Sequence, residues 1–502
     1  MDDRTRSNTP AYHELARLQV RLHRLSHVGS MVSWDRNTMM PPKGNEARAA
    51  AEAELDALIH RLRTDPQQQE WLRAAEGEPL DEFERANLRE IRRKWREANA
   101  IPESLVEAKA LAGARCEHAW RRQRFANDWQ GFLPNLREVV KLAREEAQLL
   151  ADDSGLSPYD ALLDRFEPGM RTAELDRIFG DLKQWLPGLI AKVREKQRAE
   201  KVIVPQGPFP IAKQREMSHE LMKLLGFDFQ AGRLDESAHP FSGGVPEDVR
   251  LTTRYREEDF ARALMATIHE TGHARYEQNL RRDWLGQPIA RARSFGIHES
   301  QSLAFEMQIA RSRAFMGLVA PLVERIFGAQ PAFEAGNLHR LFTRVTPGFI
   351  RVEADECTYP LHVILRYEIE RPLVEGTIEP DDIPALWEEK MRASLGVETH
   401  GDYANGCMQD VHWGEGLIGY FPSYTLGAMY AAQWFTAIRK AVPDLEERIA
   451  KGDLSPAFDW LEANIWTQGS RWETPEFVRR ASGETLNVAH FRRHLEARYL
   501  GA

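Results

Sequence analysis

Residues Ile268–His273 read IHETGH, two histidines four positions apart with a glutamate directly after the first. On a helix, positions i and i+4 project from nearly the same face, about 6 Å apart. His269 and His273 can therefore each offer a ring nitrogen to one ion. Phe260, Leu264 and Ile268 form an apolar row on the adjoining face, which predicts that this helix packs against a core. Gly272 costs about 1 kcal/mol of helix propensity relative to alanine, so backbone or substrate is expected to approach closely there. Glu270 leans to one side of the ion. It is poorly placed as a third ligand but can take a proton from a water that the ion activates. HExxH fixes only three positions, and alone it also describes two ordinary histidines on a charged helix.

A hydrolytic zinc site takes three protein ligands and keeps one position open, and the ion lowers the pKa of a bound water from about 15.7 to about 7. After His273, 25 residues pass before Glu299, in HESQSLAFEMQIA (residues 298–310). Glu277 and Asp283 lie on or just past the first helix and would have to turn back to reach the ion. Glu299 sits one helix-turn-helix later, where an antiparallel neighbour brings it alongside. Read alone, it is equally a carboxylate favoured by the dipole at a helix N-terminus. Glu306 falls two turns further on the same face, as support for the site or as a charged helix position.

The rest of the chain sets the context. Its 502 residues are 42% apolar and 28% charged, with 13 Trp and 22 Phe, enough for a sizeable core. A net charge of −9 and a pI near 6.0 argue against broad nucleic-acid binding and fit a cytoplasmic protein that handles solutes. Cys116, Cys357 and Cys407 are scattered and lack CxxC spacing, so neither a disulfide framework nor a cysteine metal knot is expected. MDDRTRSNTPAYHEL has no apolar signal-peptide core, and no run of about 18 apolar residues suggests a membrane span.

Helical periodicity dominates. Helices are predicted over Tyr12–Val28, Asn45–Arg63, Leu80–Ala98 (a solvated, charge-alternating one), Pro102–Asn127, Phe132–Asp152, Thr172–Ala199 and Ile211–Leu225. Pro41 and Pro42 suggest that Ser33–Gly44 breaks the first of these. Val202–Pro210 is read as an extended joint. Alternation of Val249, Leu251, Thr253 and Tyr255 predicts a short strand before the histidine helix. Helix is expected from there to the end, broken at GVETHGDYANG and around Gly414–Tyr424. The expectation is one large, mainly α body with a deep groove and a small sheet near the metal site.

Six motifs now stand in order: HPF (His239–Phe241), DVRLT (Asp248–Thr252), HETGH, HESQS (His298–Ser302), IRVEAD (Ile350–Asp355) and GCMQDVHW (Gly406–Trp413). With SWDRNTMMPPKGNEARA near the N-terminus, they resemble the motif set of the carboxypeptidase Taq family of zinc metallopeptidases, within the thimet-oligopeptidase-like group. The likeness runs from about Ser33 to beyond Tyr424.

By that resemblance His269, His273 and Glu299 hold Zn2+ (Co2+ can substitute), and Glu270 is the general base. It implies that His412 and either Tyr424 or Tyr420 serve the oxyanion, and that Arg351 or Arg250 receives the substrate's terminal carboxylate. A guanidinium is suited to that charge because it can bind both oxygens. Asp248, Asp355 and Asp410 are candidates to orient these arginines or the histidines, while His239 and His298 are read as structural. The implied function is release of C-terminal residues from peptides with a free C-terminus, in a cytoplasmic homodimer with no nucleic-acid or membrane partner. The chain would form a single catalytic domain, with residues 1–230 as groove roof and wall and 231–502 carrying the motifs. A zinc oligopeptidase cleaving internally, or an inactive helical peptide-binding protein, are the rival readings.

Overall fold

The computed structural model describes residues 8–237 and 240–501; His239 of the HPF motif lies outside them. The first half is helical: α1 (Pro10–Thr38), α2 (Asn45–Arg63), α3 (Gln67–Ala75), α4 (Glu82–Ala100) and α5 (Glu103–Gln123). It continues through α6 (Trp129–Ser154), α7 (Pro158–Phe166), α8 (Thr172–Arg198) and α9 (Ile211–Leu224). Three strands follow, β1 (Gly232–Glu236), β2 (Ser242–Val245) and β3 (Asp248–Thr253). The second half holds α10 (Phe260–Gln278), α11 (Phe295–Leu303), a π-helical stretch (Ala304–Ala310), α12 (Arg313–Phe327) and α13 (Ala335–Phe342). It ends with α14 (Tyr359–Glu375), α15 (Ile383–Leu395), α16 (Pro422–Ala441), α17 (Leu445–Ala450), α18 (Ser455–Asn464), α19 (Thr474–Ser482) and α20 (Ala489–Leu495).

One continuous core takes residues from Ile101 to Tyr499, so both halves share it. The mainly α, single-domain expectation holds. The sheet has order β1-β3-β2, with β1 parallel and β2 antiparallel to the central β3. Val249 and Leu251 of β3 are fully buried in a small cluster with Met222 of α9 and Ala274 of α10. That cluster clamps the sheet to the helix carrying the histidines. The three cysteines are free and buried.

Several expectations need correction. Helix α1 does not stop before Ser33: it runs to Thr38, and Asn37 and Thr38 bond back to the carbonyls of Ser33 and Trp34. Only Pro41 ends it, by disfavouring helix in the residue before it. Helix α4 is not a solvated rod. It buries Ala86, Leu88, Ile91 and Glu90 and begins with a capping box between Asp81 and Glu84. Short helices α3 and α7 and strands β1 and β2 were not anticipated, and Tyr255 lies beyond β3. The stretch from 343 to 358, expected as helix, is largely irregular.

Candidate active site

Helix α10 starts where the Asp259 carboxylate accepts from the backbone N–H of Ala261 and Arg262. Phe260, Leu264 and Ile268 are all buried, as their spacing predicts. The opposite side carries His269 and His273, whose ring centres are 5.1 Å apart. Helix α11 is capped by Ser294, whose Oγ accepts from Ile297 N. It lies so close to α10 that a Cβ on Gly272 would stand 2.5 Å from the Gln301 carbonyl oxygen. The close approach expected at Gly272 is therefore one of backbone on backbone.

From the other side, a Cβ on Gly427 of α16 would stand 2.7 Å from Glu299 Cγ. Two glycines thus let three helices converge on one carboxylate. Glu299 Oε2 lies 3.2 Å from His273 Nε2 and 3.8 Å from His269 Nε2, and one ligand atom from each of the three residues lies within 4.8 Å of the others.

The outward nitrogens are held as well. His269 Nδ1 is 2.9 Å from Glu306 Oε2, and Arg311 donates to Glu306 Oε1 at 2.7 Å. His273 Nδ1 faces His298 Nδ1 at 2.7 Å, and His298 Nε2 is 2.8 Å from Glu277 Oε1. Both imidazoles therefore turn Nε2 inward, the arrangement in which surrounding partners fix ring orientation and ligand basicity. Glu306 is a supporting residue rather than a surface charge. His298 and Glu277 gain a role that spacing concealed: Glu277 reaches not the ion but the histidine behind His273.

The donor set fits a divalent cation. Burial alone would lower the His269 pKa, but the charges of Glu299, Glu306 and Glu270 outweigh it and raise it to about 10. That concentration of negative charge is what a cation would neutralise. Two imidazoles with one carboxylate suit a divalent metal ion. Glu270 is buried, and its carboxylate takes no hydrogen bond from any described residue, so it is free to accept a proton.

A second cluster stands beside the first. Arg351, buried, donates through Nε and Nη2 to Asp410 Oδ1 at 3.1 and 2.9 Å and through Nη1 to Tyr359 OH at 2.9 Å. Arg366 binds the other Asp410 oxygen at 2.7 Å through Nε. Burial opposes ionisation of Asp410, yet the two guanidiniums hold its pKa far below the usual range. One net positive charge remains. Tyr359 and Arg366 were missed because neither falls in a motif and only the fold brings them together.

His412 Nε2 lies 3.1 Å from Tyr424 OH, and burial with the Arg351 charge drives its pKa down to about 3. It is neutral at working pH. The Arg351 guanidinium sits 4.7 Å from the Tyr424 ring centre. Tyr420 packs edge-on against Tyr424, Phe166 and Phe295. Burial, Arg351 and Glu299 together set the Tyr424 hydroxyl at about 12, and Glu299 also acts on Tyr420 and Tyr359. The tyrosines and the proposed metal ligand thus share one site.

Two expected members sit apart from this cluster. Arg250 pairs with Asp248 at 2.8 and 2.9 Å and lies over the Trp34 ring of α1 at 4.6 Å, sharing no hydrogen bond with the Arg351 group. Asp355 orients no arginine or histidine. Its carboxylate instead accepts from the backbone of Thr346, Cys357 and Thr358, which shapes the irregular stretch around Arg351.

Comparison with known proteins supplies the family. The family profile described as carboxypeptidase Taq (M32) metallopeptidase matches residues 14–499. The chain is 41% identical to thermostable carboxypeptidase 1 of Thermus thermophilus over 501 residues, covering 97% of this chain and 98% of that one. It is 35% identical to carboxypeptidase 1 of Bacillus subtilis over 488 residues, covering 95% and 96%. Among solved structures, Trypanosoma cruzi metallocarboxypeptidase 1 superposes with a TM-score of 0.95 at 48% identity, covering 98% and 99%. Pyrococcus furiosus carboxypeptidase gives 0.93 at 33%, covering 97% and 99%. With the match running almost from end to end, this chain belongs to the carboxypeptidase Taq (M32) family of metallopeptidases and is a metallocarboxypeptidase.

Proposed function

We propose that the chain is a zinc enzyme in which His269, His273 and Glu299 hold the ion and Glu270 is the general base. The observation that carries this is the convergence of those three donors within 4.8 Å, with Glu270 beside them and unbonded. A divalent cation held there supplies Lewis acidity, which acidifies a water and polarises the scissile carbonyl. Glu270 takes the water's proton and passes it to the departing amine. Tyr424, kept protonated by its raised pKa, and neutral His412 donate hydrogen bonds to the oxyanion as charge develops. Tyr420 buttresses Tyr424.

Arg351 is the residue we assign to the substrate's terminal carboxylate. Asp410 and Tyr359 preorganise its guanidinium, and Arg366 leaves the cluster one positive charge in excess. Arg250, tied to Asp248 and Trp34, is better suited to anchoring the roof formed by α1 and α2 over the groove. No helix among the described residues is long and apolar enough to cross a membrane. A cytoplasmic site, which rests on net charge and cysteine usage, completes the proposal together with a homodimer and activity with Co2+, which rest on family likeness.

Two measurements test it. Glu270→Gln should retain the metal and lose turnover by about 100-fold or more; wild-type turnover would remove Glu270 from its role. Arg351→Lys should slow peptides with a free C-terminus by about 100-fold and leave residual cleavage of C-terminally amidated peptides unchanged. Equal loss on both would remove Arg351 from carboxylate recognition.

A further inference from the structure

Beside α1 and α2 lies a cavity of about 360 Å3, walled mainly by α1, α2, α4, α5 and the turn at residues 286–291, with Gln68, Glu146 and Arg165 reaching it from α3, α6 and α7. None of its lining residues belongs to the metal set or to the Arg351 cluster. Although the chain carries a net charge of −9, this wall presents five lysines and arginines against two carboxylates. Both carboxylates are already engaged: Glu97 accepts from Arg165 at 2.8 Å, and Glu146 from Arg165 at 3.1 Å and from Lys109.

The other three cations are Arg63 on α2, Lys94 on α4 and Arg291 on the turn. They form no ion pair and no side-chain hydrogen bond with any described residue. Because they come from three separate elements, helix periodicity does not explain their meeting. Each stays accessible to water at the cavity. Burial, then the charges of Arg291 and Arg93, push Lys94 down to about 8, and burial with Arg291 lowers Arg63 as well. The three cations therefore feel one another. His23, lowered by burial and by Arg291, and His60 complete the basic wall.

The turn carrying Arg291 is fixed from two sides. Asn87 donates to Gln287 Oε1 at 2.9 Å, Gln287 donates to Ala16 O at 2.9 Å, and Ser470 donates to Arg291 O at 2.8 Å and to Ile289 O at 2.8 Å. All three cations are exposed at the cavity, and the carboxylate that acts on both Lys94 and Arg63, Glu97, is already engaged by Arg165. A cavity of small-molecule size, one wall of it a fixed turn, on which three cations from separate elements meet without an ion pair of their own is organised for an anion.

We propose that this cavity binds a compact polyanion carrying two or more phosphate groups, held by Arg63, Lys94 and Arg291. Guanidinium and phosphate match in bidentate geometry, and two separated phosphates can engage cations on different walls at once. A ligand seated there would tie α1 and α2 to α4 and to the turn, stiffening the roof.

The test is calorimetric titration of fructose 1,6-bisphosphate, a weakly chelating probe, into the metal-loaded full-length enzyme. One molecule should bind per chain and raise Tm, with affinity falling as salt rises. Arg291→Gln and, separately, Lys94→Gln should each weaken binding by about tenfold or more. Without ligand, both variants should melt no lower than the wild type, because charge repulsion is relieved. Absence of binding to the wild type, or equal binding by both variants, overturns the proposal. So does a purely competitive effect on peptide turnover in which the variants lose only peptides rich in Asp or Glu; that result would make the cavity an extension of the substrate groove.

Discussion

Helices α11 and α2 show two ways of joining a helix to this molecule. Seven of the nine residues of α11 are buried, and it touches α10 and α16 through glycines whose missing side chains admit backbone and Glu299. Of the nineteen residues of α2 only Ile59 is buried, and it meets α1 through the ion pairs Arg36–Glu52 and Arg48–Asp35, both at 2.6 Å. Part-exposed surface pairs of that kind contribute about 0–1 kcal/mol each. The seam of α10, α11 and α16 therefore leaves the three proposed ligands one arrangement, whereas α2 rests on α1 through contacts of that smaller size.

The contrast can be broken at its strongest point. Gly272→Ala should destabilise the enzyme by about 3 kcal/mol or more, since the new Cβ meets a carbonyl oxygen that cannot yield. It should also lose metal, and thermal melting with metal analysis reads both. A variant that melts like the wild type would refute the tight seam.

The body also buries carboxylates that the roof does not. Glu370, enclosed and accepting from Trp413, Tyr159 and Gly419 N, is raised by burial from 4.5 to about 7. Because its folded pKa exceeds the unfolded one, the unfolded chain releases the proton first. Stability should then fall as pH rises from about 4.5 to about 7, by at most about 3 kcal/mol in all. Denaturant unfolding of wild type and Glu370→Gln across that range measures it, and parallel curves would contradict the assignment.

Much of the seam was legible in the chain. The i, i+4 histidines, the adjacent Glu270 and the distance to Glu299 follow from helix geometry, and the anomalous Gly272 marked the closest contact. Glu306 was placed on the face of Glu299 by its spacing, but its role stayed open because its partner His269 comes from a different helix, 37 residues earlier. His298 with Glu277, and Arg366 with Asp410, are tertiary pairings between elements 21 and 44 residues apart, and no local pattern announces them. The roof misled for the opposite reason: Ser33–Thr38 looks like a turn and folds as helix because side chains of Asn37 and Thr38 bond back along it.

Smaller effects sharpen the same contrast. Glu306→Gln keeps one acceptor for His269 but loses the charge facing Arg311, and should weaken metal affinity by about 10-fold; competition with a chelator reads this, and an unchanged affinity would make Glu306 a bystander. On the roof, Gly29→Ala should stabilise α1 by up to about 1 kcal/mol, because its Cβ would make only ordinary 3.6 Å contact with Leu55. A loss of stability there would show the roof to be packed as tightly as the seam.

Anomalous scattering at the zinc edge, from crystals of active enzyme, addresses the central claim. The expected result is one peak per chain within bonding distance of His269 Nε2, His273 Nε2 and a Glu299 oxygen. A peak elsewhere, or none in crystals that still hydrolyse peptide, would contradict it.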